Sequence, residues 1–207
     1  MTTTTANPVR ATSRQRSLAA VGLAASLLGA ASAGLLIGWD PQVPSDQFSY
    51  PFEPGGFAVV QTFFFVQHLP LAVLLGLLWT SGVTGRGQLA KVGVIGSVAS
   101  MLGLAVTELI AIASAEATYP SSDTAHLDVL YGATSIGIGL FTVLAGIATI
   151  PARVWTGWER WLPLAIGVYV FVVLTPGIML GFDAGRLVIG AWMLLFAALG
   201  WALMRRA

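Results

Sequence analysis

Long apolar runs alternate with short polar ones along the whole chain. Six runs stand out, from about Ser17 to Trp39, Phe57 to Thr80, Val92 to Ser114, Leu127 to Ile150, Trp161 to Leu180 and Leu187 to Met204. A helix rises about 1.5 Å per residue, so roughly 20 apolar residues cross a hydrocarbon core of about 30 Å. None of the six shows the two-residue alternation of a barrel strand, and the α-helix is the other way to satisfy backbone N–H and C=O groups in lipid. The pattern predicts an all-α, polytopic transmembrane helical bundle of about six helices. Residues 17–204 form its single domain, between a disordered tail over 1–16 and a short tail over 205–207. Arg14 and Arg16 ahead of Ala31-Ser32-Ala33 imitate a cleavable leader, but the run continues to Trp39, longer than a signal core of about 7–15 residues. A retained first helix is expected.

Composition strengthens this reading. The chain of 207 residues is 56% hydrophobic and 9% charged, where a soluble domain carries about a quarter charged residues. Cytoplasmic segments near helix ends hold most of the Arg and Lys of a membrane protein. With the N-terminus inside, Arg10, Arg14, Arg16, Arg86, Lys91, Arg153, Arg160, Arg205 and Arg206 all fall inside, and only Arg186 falls outside. Both termini are therefore expected in the cytoplasm. Asp40, Asp46, Glu53, Glu116, Asp123, Asp128 and Asp183 sort to the outer side, which becomes negative in potential. Six of the seven tryptophans lie near predicted helix ends, where indole suits the headgroup level, and Trp192 alone falls inside a span. The dominance of arginine over Lys91, with abundant Ala and Gly, points to a GC-rich bacterium and hence to the cell inner (plasma) membrane. A net charge of +1, scattered along the chain, argues against a nucleic-acid partner. The absence of cysteine excludes disulfides, thiolate metal sites and a thiol nucleophile.

Ionisable residues inside a bilayer are costly and become the first candidates for function. Two lie within the spans, His68 and Glu108. His68 sits about 16 Å below the outer surface and Glu108 about 12 Å, close enough in depth to meet if the second and third helices are adjacent. Gln61 precedes His68 by two helical turns on the same face. Gln67, Thr107, Tyr131, Thr134, Ser135 and Thr175 fall in the same outer half, with Asp128, Asp183 and Arg186 as a rim. The proline-rich segment from Asp40 to Gly56, bearing Phe48, Tyr50 and Phe52, is placed to cover it. The ligand-binding set expected from this pattern is His68, Glu108, Gln61, Tyr131 and Asp128. Two histidines at different depths supply no histidine metal site, zinc helices, P-loops and nucleophile elbows are missing, and no metal or cofactor is expected.

Small residues let helices approach, and Gly34 with Gly38, Gly96 with Ser100 and Gly103, and Gly132 with Gly139 and Gly146 are spaced for packing. Pro70 and Pro176 each remove a backbone hydrogen bond, to the carbonyls of Val66 and Val172. The set Gln67-His68-Leu69-Pro70, Thr107-Glu108-Leu109 and Leu130-Tyr131-Gly132 resembles a group of small six-helix bacterial integral membrane proteins, a resemblance that implies no particular activity. Three functional readings stay open. The favoured one is a protein that binds or passes a small apolar or cationic molecule through an outward-facing polar pocket. The second is an intramembrane enzyme on a lipid or isoprenoid, with Glu108 as acid and Phe63, Phe64, Phe65 and Tyr131 lining its pocket. The third is a structural subunit, partnered by another membrane protein or by its own copies, in which His68 and Glu108 merely fasten helices.

The topology is tested with single cysteines. Cysteine at Gly87 or Gly157 should resist an impermeant thiol reagent in intact cells, and cysteine at Ser122 should react; labelling at Gly87 would invert the map.

Overall fold

The computed structural model describes residues 12–205. It holds six helices long and apolar enough to cross a membrane: α1 (Ser13–Ile37), α2 (Pro54–Thr80), α3 (Gln88–Ser114), α4 (Ala125–Ala152), α5 (Trp158–Met179) and α6 (Phe182–Met204). Residues 1–11 and 206–207, which contain most of the expected tails, lie outside the described residues. α1 begins at Ser13 because Thr12 and Gln15 form a capping box: the Gln15 N–H donates to Thr12 Oγ1 at 3.2 Å and the Thr12 N–H donates to Gln15 Oε1 at 3.0 Å.

Each helix packs antiparallel on the next in sequence, and α6 closes the ring against α1. Lipid gives no hydrophobic drive between helices, so close backbone approach has to supply the attraction. Glycines make the closest approaches. A Cβ on Gly93 would stand 2.5 Å from the Ala145 backbone nitrogen, and one on Gly167 would stand 2.6 Å from that of Val143. Gly146 meets the Leu164 backbone with equally little room, and Gly22 and Gly29 of α1 receive Leu74 and Gln67 of α2. Gly96, Ser100 and Gly103 face α4, as their spacing predicts, and Gly139 and Gly146 face α5. The predicted Gly34–Gly38 motif is not an interface: Gly34 has open space where its Cβ would be, and Gly38 lies past the last turn of α1.

Pro70 and Pro176 lie within single crossings. α5 passes Pro176 by a π-turn over Val170–Leu174, in which the Thr175 N–H and its hydroxyl both donate to the Val170 carbonyl, the latter at 2.8 Å. The helix thus absorbs the missing donor by adding a residue to one turn.

The two ends of the bundle differ. One carries the short turns 81–87 and 153–157 together with the described chain ends. Here arginines lie over indoles: Arg86 on Trp79 at 5.2 Å, Arg160 on Trp161 at 5.1 Å and Arg205 on Trp201 at 4.3 Å. We refer to it as the basic end. At the other end the α1–α2 and α3–α4 connections pair, with Phe48 N–H donating to Ala117 C=O at 2.9 Å, Ser49 N–H to Ala115 C=O at 3.2 Å and an isolated bridge between Gln47 and Thr118. This pairing makes a cap, and the end is termed the capped end.

The apolar core is split accordingly. Leu74, Leu78, Ile166, Phe196 and Leu199 fill the basic half of the ring, each fully buried. A smaller cluster of Leu36, Phe52, Phe57, Ala111, Ala115 and Leu127 sits beneath the cap.

The glycine contacts set unequal costs for substitution. Gly167→Leu, whose Cβ meets backbone, should lose about 3 kcal/mol or fail to assemble, whereas Gly34→Leu should unfold within about 1 kcal/mol of wild type. Thermal unfolding in detergent measures both, and equal melting temperatures would refute the packing described.

Candidate functional site

Between the two apolar clusters lies a cavity of about 340 Å³, a size typical of small-molecule pockets. α2 contributes most of its polar wall. The two-turn spacing of Gln61 and His68 places both on the inward face, and the intervening aromatic Phe64 joins them there. α3 adds Glu108, α4 adds Tyr131 and Ser135, and α6 adds Arg186 and Trp192. The cap closes over it with Phe48, Tyr50 and Tyr119.

The centre of the polar wall is a triangle. Tyr131 OH donates to Glu108 Oε2 at 2.7 Å, and Gln61 Nε2 donates to the same oxygen at 2.9 Å and to Tyr131 OH at 3.0 Å. Three helices, α2, α3 and α4, are thereby tied around one carboxyl group. Bonds from neutral donors to a buried acceptor in low dielectric are strong, and leaving a donor unpaired there costs about 1–3 kcal/mol.

His68 lines the same cavity as Glu108 but is not part of the triangle. Its Nδ1 turns back on its own helix and meets the Phe64 carbonyl at 2.6 Å, rather than the Val66 carbonyl that Pro70 frees. A carbonyl only accepts, so Nδ1 carries the proton and Nε2 is left facing the cavity without a hydrogen-bond partner among the described residues.

Gln67 spans three helices, with Nε2 donating to the Ala25 carbonyl at 3.3 Å and to Met193 Sδ at 3.2 Å. Asp128 stands exposed at the rim, where its carboxylate accepts from Tyr119 OH at 3.1 Å. Burial, together with the hydrogen bond to Asp128 and its charge, raises the Tyr119 phenol above its ordinary value, which keeps it a donor.

Other hydroxyls of the capped half satisfy themselves instead. Thr107 donates to the Gly103 carbonyl, Thr134 to Leu130 and Thr175 to Val170, so none of them lines the cavity. Phe48 and Tyr50 of the expected cover reach the cavity, while Phe52 packs on Trp39. Of the three consecutive phenylalanines only Phe64 lines it.

Arg186, expected on the rim and outside the ligand-binding set, belongs to the cavity wall. It is half-buried inside α6 and lines the cavity, its guanidinium 5.0 Å from the Phe182 ring and 5.7 Å from that of Phe64. The available signal was its isolation as the one basic residue far from the basic end.

Comparison with protein-family models, curated proteins and solved structures finds no match to this chain. The site is therefore read from its own geometry. Among the described residues no three His, Cys, Asp or Glu side chains gather to hold a metal ion.

The triangle makes a distinction between two substitutions at Glu108. Glu108→Gln keeps an oxygen for the Tyr131 and Gln61 donors and should melt within a few degrees of wild type. Glu108→Leu leaves both donors buried and unpaired and should lose about 2–4 kcal/mol. Equal damage by the two would show that the hydrogen-bond triangle does not hold the fold.

Proposed function

We propose that this chain is a multi-pass protein of a bacterial inner membrane that binds a small amphipathic molecule in a pocket beneath its capped, outward-facing end. One observation carries the reading: a cavity of about 340 Å³, mixed in polarity, lies inside the helix ring between two apolar clusters. Polar groups inside a bilayer are retained against a cost, so a chamber lined by Glu108, His68, Gln61 and Arg186 is a place where a ligand replaces water. Leu104, Leu174 and Trp192 give it an apolar floor for the rest of the molecule.

The wall also narrows the choice between the ligands that sequence suggested. Arg186 would repel a bare cation, so a molecule with an apolar body and a hydrogen-bonding end fits better. Below the cavity the buried side chains of Leu74, Leu78, Phe196 and Leu199 fill the basic half of the ring, which favours binding over passage.

The test is untargeted profiling of small molecules that co-purify with the protein. Wild type should carry a molecule that is absent from both Glu108→Gln and the cavity-filling Ser135→Leu. Identical profiles from folded wild type and both variants would refute the pocket reading.

A further inference from the structure

Glu108 and Arg186 bring opposite charges into one cavity without meeting. They interact electrostatically, yet no Arg186 nitrogen lies within 4.0 Å of a carboxylate oxygen among the described residues, and the guanidinium makes no hydrogen bond to any of them. An arginine within a span that is not answered by a carboxylate leaves five donors unused, at a cost that a membrane protein rarely bears without a counterpart. The rings of Phe64 and Phe182 attract the guanidinium but accept no ordinary hydrogen bond from it, so its N–H groups are available to a ligand.

Another part of the lining has the complementary character. Tyr131 and Gln61 both donate to Glu108 Oε2, and Oε1 has no hydrogen-bond partner among the described residues. His68, with Nδ1 committed to Phe64, offers Nε2 as an acceptor from the neutral ring. One side of the cavity therefore asks for an anionic group and the other for a donor, best a cationic one.

Resting on the reading of the cavity as a ligand pocket, we infer that its occupant is a zwitterion, with a carboxylate or phosphate held by the Arg186 fork and an ammonium facing Glu108 and His68. A molecule bearing only one charge satisfies one wall and is repelled by the other. Amphipathic amino acids and the headgroup of phosphatidylethanolamine share this chemistry, and the experiment separates them.

The purified full chain is placed in nanodiscs of phosphatidylglycerol, with or without phosphatidylethanolamine, and four probes with one apolar body are titrated by calorimetry. L-phenylalanine should bind about tenfold more tightly than 3-phenylpropanoate, 2-phenylethylamine or 2-phenylethanol. Loss of this binding only when phosphatidylethanolamine is present supports the zwitterion and names the lipid headgroup as the resident form. Arg186→Gln should erase the advantage of L-phenylalanine over 2-phenylethylamine, Arg186→Lys should keep part of it, and Glu108→Gln should erase the advantage over 3-phenylpropanoate. Circular dichroism and gel filtration establish that each variant is folded, and the wild-type ranking stands without them. Equal binding of 2-phenylethanol, an unchanged ranking in folded Arg186→Gln, or no binding of any probe in either disc would overturn the inference. The co-purification result is independent of this ranking, so the pocket can stand while the zwitterion falls.

Discussion

Lipid offers no hydrogen bonds, so each polar group between these helices has to be answered from within the bundle. Most of the chain meets that demand locally. Ser26 donates to the Gly22 carbonyl, Ser97 to Val94 and Thr149 to Ala145, each on its own helix. The Gln61–Glu108–Tyr131 triangle meets it across helices, as do Gln67 on Ala25 and Met193, Tyr169 on the Val188 carbonyl and Trp192 on the Ile166 carbonyl. Glu108 Oε1, His68 Nε2 and the Arg186 fork have no hydrogen-bond partner among the described residues, and all three residues line one cavity, whereas the buried Thr142 hydroxyl and Arg160 Nε are unpartnered away from it. Three such groups lining one cavity are what marks the site.

The ring around the cavity owes its shape to glycine. Gly93, Gly146 and Gly167 bring α3, α4 and α5 into backbone contact. On the other side Gly200 brings α6 against the α1 backbone at Leu23, while α2 meets α1 and α6 through side chains such as Leu74, Gln67 and Met193. The cap ties the α1–α2 and α3–α4 connections together, and Tyr50 reaches across to Phe182 at the start of α6, ring centroids 5.3 Å apart.

The six crossings were legible in the sequence because bilayer thickness fixes a length that few other constraints can imitate. His68 and Glu108 were legible for a related reason, since an ionisable side chain in an apolar run is costly and has to be answered inside the bundle. Arg186 was not, because α6 was expected to start at Leu187, where the apolar run begins, and it starts at Phe182 instead. Gly181, at φ 108°, lets the chain turn back sharply enough to take Asp183 and Arg186 into the helix. The Gly34–Gly38 spacing misled because spacing alone does not say which face of a helix is turned inward. The cap pairing was illegible too, as the segments around Gln47 and Thr118 come together only through the helices that carry them.

The π-turn in α5 gives one helix two phases. Before it, Gly167 fits against the backbone of α4; after it, Gly177 fits against Val188 of α6. A helix of uniform pitch turns about 100° per residue, so deleting one residue from 170–174 would swing Gly177 away from α6 by roughly that angle. The extra residue lets a single crossing hold α6 on both sides of the π-turn, through Ile166 and Tyr169 before it and Gly177 after it, and Leu174, within the turn, looks into the cavity. The chamber thus sits at a dislocation in the helix lattice, a place where length along the chain and angle around the axis have been separately set.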